Sequence, residues 1–521
     1  MISADPRIAD ALARLPDYLG NHVLVSITAL ALGLAVSLPL ALLSVRHPAV
    51  RGWSLAAASL IQTIPGLALL ALFYPVLLAL VALSERLIGV SFSALGFLPS
   101  VLALALYSML PVLRNTVTGL TGIDPSIREA AQGVGMTRRQ SLSMVELPLA
   151  LPVIMAGIRT AAVWVIGMAT LSTPVGQTSL GNYIFSGLQT QNWVFVLFGC
   201  VAAAALAMIV DQLLALMQNG VARRRPKRLL FAAVALLVLI ASALTPRFAQ
   251  SRATYAVGAK TFTEQYILGA LIEQRLRAAG LSATRREGLG SNVVFNALAS
   301  DEIDLYVDYS GTLWANQMHR EDVRPREEVL AEVTKWLRES HRITVLGELG
   351  FENAYALAMP RRRAEALGIR SIADLARNAP SLSIAGDYEF FDRPEWRGIR
   401  ASYGLNFRVQ RQMQAEFMYP AAASGEVDVI AAYTSDGRIA KYELTVLEDP
   451  KRAIPPYDAM LLLAPRRAGD ETLAAALRPL IGTIDVTLMR EADQRALDRN
   501  ASPDAAARWL TDEIAQRRTL R

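Results

Sequence analysis

"RRRPKRLLFAAVALLVLIASALTPRF", residues 223–248, joins a basic head, an apolar run and the small-residue triplet Ala241-Ser242-Ala243. At the start of a chain, this order is typical of a secretory signal peptide. Here more than two hundred residues precede it. We therefore expect the segment to carry the chain that follows it across a membrane.

Composition divides the chain at this segment. Of the 521 residues, 53% are hydrophobic and only 19% are charged, whereas soluble proteins average about 25% charged residues. The deficit lies before Leu244, and mixed charge begins at Thr254. The net charge of +6 comes largely from Arg and Lys beside apolar runs and forms no basic stripe with aromatics, which argues against nucleic-acid binding.

Cysteine and histidine provide few sites for chemistry. Cys200 is the single cysteine, so no disulfide forms within the chain, and the four histidines lack metal-ligand spacing. No nucleophile, base or metal set converges in the sequence. We therefore predict no metal site, no catalytic residue and no enzyme activity for this chain.

Six apolar stretches have the length of transmembrane helices. They are 22–45, 53–83, 97–117, 149–171, 193–217 and 229–245. Pro65-Gly66 and Pro75 interrupt the second, so it is either kinked or a shorter span joined to an interfacial piece. The sixth is the shortest.

Arginine and lysine in the loops predict the orientation, because they accumulate on the cytoplasmic side. The basic loops are 46–52, 118–148 and 218–228, whereas 84–96 holds one arginine and 172–192 none. Both termini then lie outside, including an external segment 1–21. We interpret 221–253 as the cytoplasmic cluster, a retained sixth span and a linker; cleavage after Ala243 is the alternative.

The loop 118–148 contains signals for two short helices. Asp124 precedes Pro125, which is the usual order of an N-cap and the first helical residue. Gly133 and Gly135 predict a turn, and Thr137 with Gln140 forms a capping box for the second helix. The loop is either a simple connector or a pair of short helices that docks on a partner protein.

The sequence "EAAQGVGMTRRQSLSMVELPLALP" resembles the EAA loop of ABC importer permeases. The stretches "QTIPGLALLAL" (62–72) and "STPVGQTSLGNYIFSGLQTQN" (172–192) resemble the osmoprotectant branch. The resemblance implies an all-α, MetI-like permease domain over 22–220, working as a homodimer, with the EAA loop at 122–148. It also implies that the loop docks on an ATPase. The residues implied in coupling are Glu129, Ala130, Ala131 and Gly135.

The ATPase itself is expected on another chain. A P-loop needs G-x-x-x-x-G-K-[ST], and "YAVGAKT" at 255–261 lacks the first glycine and separates Gly258 from Lys260. We predict that this chain binds no cofactor and that ATP and Mg²⁺ bind to the partner subunit.

Residues 254–521 alternate strand-like and helix-like segments, which predicts an α/β fold. The strands are "YAVGAK", "IDLYVDY", "LSIAG", "VDVIAAY" and "MLLLAP". The size suits two lobes that close on a ligand. We place the first lobe at 254–350 and 455–521 and the second at 351–454, with crossovers near 346–358 and 447–460.

This half resembles the substrate-binding proteins for glycine betaine, choline and carnitine. The matching stretches are "VGAKTFTEQYILG", "LGSNVVFNAL", "IDLYVDYSGT", "GFENAYALA", "AAYTSDGRI" and "LEDPKRAIPPYDA". The resemblance implies a two-lobed, type II periplasmic-binding-protein fold. It also identifies the chain as a permease fused to its binding protein.

The family's ligand-contacting positions fall on six residues of this sequence. A trimethylammonium group has no N–H to donate, so aromatic faces must hold it. The resemblance implies a cage of Tyr309, Tyr355, Tyr433 and Tyr457, with Tyr419 and Trp336 as further aromatic candidates. Thr312 and Lys260 match polar contacts, and Arg393 is a second candidate for a ligand carboxylate.

We therefore predict the permease and binding subunit of an ATP-driven importer in a bacterial inner membrane, with the C-terminal domain outside. Its solute would be glycine betaine, carnitine or choline. An ergothioneine importer of the same architecture is the first alternative. A membrane receptor is the second, but the sequence contains only short cytoplasmic loops and no output domain.

The predicted topology can be tested with reporter fusions. A reporter placed after Gly220 should be cytoplasmic, because it follows the fifth span beside the basic cluster, and one placed after Arg521 should be external. Protease accessibility in spheroplasts measures both. If both reporters lie on the same side, the six-span arrangement is wrong.

Overall fold

A computed structural model describes residues 6–89, 92, 96–189, 192–223, 225–249, 255–320, 322–387, 390–498 and 502–519. The chain forms two compact units, one made chiefly of 10–184 and 196–251, the other chiefly of 252–521. They correspond to the apolar and the mixed-charge parts of the sequence. The linker residues 250–254 lie outside the described ones.

Helices make up the first unit. They are α1 (Pro6–Arg46), α2 (Pro48–Thr63), α3 (Gly66–Ile88), α4 (Phe97–Thr121), α5 (Pro125–Gly133), α6 (Arg138–Ser141), α7 (Leu147–Ala169), α8 (Gly181–Gln189), α9 (Trp193–Ala222) and α10 (Pro226–Ala249). Six helical segments of the described chain are long and apolar enough to cross a membrane. The prediction of six apolar helices is confirmed.

The second predicted span is divided in the structure. The helix α2 ends at Thr63 and α3 begins at Gly66, so the break lies at Pro65, whose ring removes a backbone N–H. The spanning helix is α3, and Pro75 lies inside it. Of the two alternatives, the shorter span preceded by a separate helix is the one observed.

An ion pair joins two of the spanning helices. Arg159 of α7 donates two hydrogen bonds of 2.9 Å to the carboxylate of Asp211 on α9. Gln218 of α9 accepts from Arg159 at 2.9 Å and donates to the carbonyl of Pro152 at 2.8 Å. Charges within a membrane span need such partners because hydrocarbon does not solvate them. The pair therefore fixes α9 against α7.

The loop before α7 folds as its capping signals predict. The carboxylate of Asp124 accepts from the Ser126 N–H at 2.9 Å, and the capping box between Thr137 and Gln140 is complete. A π-helical segment, Leu142–Glu146, joins α6 to α7. Arg128 of α5 pairs with Glu146 at 3.1 Å, so α5 is held against the start of α7.

The second unit alternates strands and helices. Its strands are β1 (Tyr255–Lys260), β2 (Ala283–Leu289), β3 (Leu305–Tyr309), β4 (Thr344–Glu352), β5 (Tyr355–Pro360), β6 (Ser383–Gly386), β7 (Val409–Gln412), β8 (Val429–Tyr433), β9 (Leu444–Val446) and β10 (Asp458–Leu463).

The helices of this unit pack around the strands. They are α11 (Thr263–Ala278), α12 (Ser291–Ala299), α13 (Ser310–Thr312), α14 (Arg326–His341), α15 (Arg361–Leu367), α16 (Ile372–Asn378), α17 (Pro394–Tyr403), α18 (Ala415–Ala423), α19 (Arg438–Lys441), α20 (Glu471–Leu477), α21 (Val486–Ala496) and α22 (Pro503–Thr519). All the strands predicted from the sequence are present.

The strands form two five-stranded sheets, ordered β2-β1-β3-β10-β4 and β7-β6-β8-β5-β9. Each sheet contains one strand that runs against its neighbours, β10 in the first and β5 in the second. The chain passes between the sheets at 353–354 and again over 447–457, both within the predicted crossover regions. The two-lobed fold expected from the sequence is confirmed.

Candidate functional site

The candidate residues lie where strands end. In the first sheet, Lys260 ends β1 and Tyr309 ends β3, and these two strands are parallel. In the second sheet, Tyr433 ends β8. Ligands of open α/β sheets bind outside the carboxyl ends of parallel strands. The antiparallel β5 and β10 begin at these same edges, which brings in Tyr355 and Tyr457.

Strand register places two of the tyrosines side by side. Tyr355 and Tyr433 are direct partners in the β5–β8 ladder, and their ring centroids are 5.0 Å apart. Their hydroxyls donate to the same oxygen of Asp387, at 3.1 and 2.5 Å. Asp387 follows β6, the neighbour of β8. One carboxylate therefore holds both rings.

A glycine makes room for the third ring. A side chain at Gly311 would place its Cβ 2.5–2.7 Å from three atoms of the Tyr457 ring. The Tyr457 ring lies 6.2 Å from that of Tyr355, almost perpendicular to it. Its hydroxyl donates to Glu395 and accepts from Arg393 at 3.2 Å. The Gly311 of "YSGT" is thus required by packing beside the cage.

Tyr309 completes the set from the first sheet. Its hydroxyl donates to Glu264 and accepts from Gln265 at 2.8 Å, and both partners lie in the first turn of α11. Asn353, in the first crossover, also donates to Glu264, at 3.2 Å. Tyr309 is therefore fixed by α11 and, through Glu264, connected to the segment that joins the lobes.

Phe262 is a fifth ring that the sequence analysis missed. It lies 6.1 Å from Tyr309 and 6.2 Å from Tyr433, with its plane parallel to that of Tyr433. It therefore bridges rings from the two sheets. Its position in the turn that follows β1, at the carboxyl edge of a parallel strand, was the available signal.

Lys260 and Arg393 lie beside these rings, and both are buried, as is Thr312, which follows Gly311. Lys260 is only 2% exposed, forms an ion pair with Asp308 and lies 5.1 Å from the Tyr309 ring centroid. Arg393 pairs with Glu395 at 2.8 Å and lies 5.1 Å from the ring centroid of Tyr355. Each cation thus has an internal carboxylate partner as well as an aromatic neighbour.

Burial sets the charge states in this site. It raises the pKa of all four tyrosines, so their hydroxyls stay neutral and donate. Burial also raises the pKa of Glu264 to about 7, although hydrogen bonds with Ser435, Tyr309 and Asn353 act in the opposite direction. For Glu395, burial alone would raise the pKa, but the charge of Arg393 holds it below its usual range.

The two further aromatic candidates lie elsewhere. Trp336 stacks on Phe295 at 5.7 Å and contacts His341. Tyr419 is buried, and its hydroxyl accepts a hydrogen bond of 3.2 Å from the backbone N–H of Tyr433. The guanidinium of Arg438 lies 4.3 Å from the centroid of the Tyr419 ring. Among the described residues, the ring contacts of Trp336 are with Phe295 and His341, whereas Tyr419 meets the tyrosine cluster at the backbone of Tyr433.

The predicted coupling residues lie on α5 and the turn after it. Glu129 and Ala130 are exposed and Ala131 is buried. Gly135 is exposed, with φ of +82° and no atom within 4 Å of the position a Cβ would take. The sequence therefore gives this turn an open surface that a partner can approach.

Comparison with known proteins identifies both halves. Residues 253–512 match the family "substrate binding domain of ABC-type glycine betaine transport system", and residues 30–227 match "binding-protein-dependent transport system inner membrane component". The chain belongs to the osmoprotectant and ergothioneine branch of ABC importers, as a permease fused to its substrate-binding domain. Its six apolar helices make it an inner-membrane protein.

Three relatives illustrate the relationship. An ergothioneine transport permease/ergothioneine binding protein of Helicobacter pylori is 30% identical over 79% of this chain and 74% of its own length. A glycine betaine/carnitine/choline permease of Bacillus subtilis is 38% identical over 39% and 86%. An osmoprotectant import permease of Salmonella typhimurium is 40% identical over 36% and 83%. The alignment with the first relative covers both halves of this chain.

Gly311→Ala tests the packing of the cage. The added methyl should displace the Tyr457 ring and weaken solute binding by about tenfold, since an aromatic contact typically contributes about 1 kcal/mol. Isothermal titration of the purified chain measures this. Gly290→Ala is the control, because its Cβ would be 3.9 Å from the nearest atom. Equal affinity in both variants would show that the Tyr457 ring is not needed.

Proposed function

We propose that this chain is the permease and binding subunit of an ATP-driven importer for a quaternary-ammonium solute of the glycine betaine, carnitine or choline class. The main supporting observation is that four tyrosines and Phe262, from two sheets, form one cluster of rings. Three of these rings are buried, and those of Tyr433 and Phe262 are half-buried. The tyrosine hydroxyls all donate to carboxylates of the protein. Because the hydroxyls are bound by the protein, a solute would contact the faces of the aromatic rings.

Such faces match the chemistry of a trimethylammonium group. That group is charged but has no N–H, so it makes no conventional hydrogen bond. Each aromatic face contributes about 0.5–2 kcal/mol, depending on desolvation. Several converging, dehydrated rings are what a permanent cation of this kind requires.

The polar residues support a solute that also carries a carboxylate. Lys260, Thr312 and Arg393 are buried near the rings, and a carboxylate could accept from each. Because Asp308 and Glu395 already balance the two cations, the site would accept a zwitterion without a large surplus of charge. This favours a betaine over choline.

Ergothioneine is the second candidate, and one observation favours it. The relative that spans both halves of this chain carries that solute in its name. Ergothioneine is itself a betaine, with a thioimidazole ring, so the same cage and carboxylate contacts would serve it. Titration with glycine betaine, carnitine, choline and ergothioneine separates the candidates.

The transport machinery is completed by other chains. We propose that a separate ATPase subunit, carrying ATP and Mg²⁺, docks on α5 and the turn at Gly135, and that two permease domains pair in the working transporter. The basic loops would face this ATPase in the cytoplasm, with the binding domain on the opposite side. The chain's own role is to bind and conduct the solute, not to catalyse a reaction.

Lys260→Gln tests the carboxylate end of the solute. The change removes a cation and leaves the charge of Asp308 unbalanced beside Tyr309. A solute carboxylate should then bind at least about tenfold more weakly, while choline should lose little. Calorimetry with glycine betaine and choline gives the difference, and the exposed Lys335→Gln is the matched control. Equal losses for both solutes would mean that Lys260 supports only the fold.

Changes in the turn at Gly135 should affect solute uptake but not solute binding. Gly135→Ala forces a left-handed φ on a residue with a Cβ, at a cost of about 1 kcal/mol, and should impair uptake, as should Glu129→Lys. Gly52→Ala, in an open position of α2 and outside the proposed docking surface, is the control and should transport normally. Radiolabelled uptake and solute titration are measured in parallel. Normal uptake by both variants would make the loop a simple connector.

A further inference from the structure

The hydroxyls of the four cage tyrosines share one feature. Each donates its hydrogen bond to a buried carboxylate: Tyr309 to Glu264, Tyr355 and Tyr433 to Asp387, and Tyr457 to Glu395. The carboxylates come from three different segments, α11, the loop after β6 and α17. A layer of acidic groups therefore lies at the hydroxyl ends of the four rings.

Asp387 is the central member of this layer. Its Oδ2 accepts from both Tyr355 and Tyr433, and its Oδ1 accepts from the Phe390 N–H at 2.9 Å. The carboxylate is thus fixed by backbone on one side and by two cage rings on the other. Any change in its charge acts on both rings together.

Hydrogen bonds of this kind change the rings as well as orienting them. A phenol that donates to a carboxylate makes a short, charge-assisted bond and gains electron density. The attraction between a cation and a ring depends on the negative potential of the ring face, and burial strengthens it. A cation already occupies such a position in the structure, because the guanidinium of Arg393 lies 5.1 Å from the Tyr355 centroid.

We propose that Asp387 is a specificity-determining residue, which makes the faces of Tyr355 and Tyr433 electron-rich so that the site selects a permanent cation over an uncharged group of the same shape. The proposal rests on the proposed function, since it concerns how the cage recognises a trimethylammonium group. Asp387 acts through the two tyrosines and is a positioning residue.

The test compares two probes that differ only in charge. Glycine betaine and 3,3-dimethylbutanoate have the same shape, with a trimethylammonium group in the first and a tert-butyl group in the second. The full-length chain is titrated with betaine, and dimethylbutanoate is measured by competition. Asp387→Asn should lower the betaine-to-dimethylbutanoate affinity ratio by about tenfold, with betaine losing affinity and dimethylbutanoate nearly unchanged.

The chain supplies a matched control. Tyr255 donates to Asp470 at 3.0 Å, at the opposite edge of the first sheet from the site. Asp470→Asn removes a tyrosine-bound charge there and retains an N-cap for α20, because Asn caps as well as Asp. Its affinity ratio should equal that of the wild type.

A second variant keeps the test decisive if Asp387→Asn fails to fold. The double change Tyr355→Phe with Tyr433→Phe retains both ring faces and removes both donated hydrogen bonds, so the ratio should again fall. Equal losses for the two probes, or an unchanged ratio, would overturn the role of Asp387 while leaving betaine transport in place. A wild-type chain that binds no betaine or other quaternary ammonium would overturn both this inference and the proposed function.

Discussion

The site depends on two strands that run against their neighbours. Because β5 and β10 are antiparallel to the strands beside them, each crossover delivers the chain to the edge where the parallel strands end. A backbone hydrogen bond of 3.0 Å from the Asn353 N–H to the Tyr457 carbonyl ties the two crossovers together. Tyr457 thus ends one connecting segment and Tyr355 directly follows the other, so movement of one lobe relative to the other would move these rings.

Charge in the binding domain is balanced locally. Lys260 with Asp308 and Arg393 with Glu395 form buried pairs, and buried charges left without a partner are strongly destabilising. These pairs allow cations, carboxylates and rings to share one small volume. In the membrane domain, Arg159 and Asp211 follow the same rule. Ion pairs therefore stabilise both the substrate-binding domain and the membrane domain.

Features set by local sequence were predictable. The capping residues of the loop before α7, the six apolar helices and the strands that end in tyrosines all follow from short-range patterns. The carboxylates behind the rings were not predictable, because Asp387 meets Tyr433 from 46 positions away and Glu264 meets Tyr309 from 45. For the same reason, Asp308 could not be named in advance as the ion-pair partner of Lys260. Phe262 was overlooked although its place after β1 was a usable signal.

We propose that these rings bind a quaternary-ammonium solute. Titration calorimetry of the full-length chain with glycine betaine, carnitine, choline and ergothioneine, repeated on Tyr433→Ala, tests it most directly. At least one of these solutes should bind the wild type, and the variant should bind it about ten- to a hundredfold more weakly. Absence of binding by all four, or equal affinity for the variant, would contradict it.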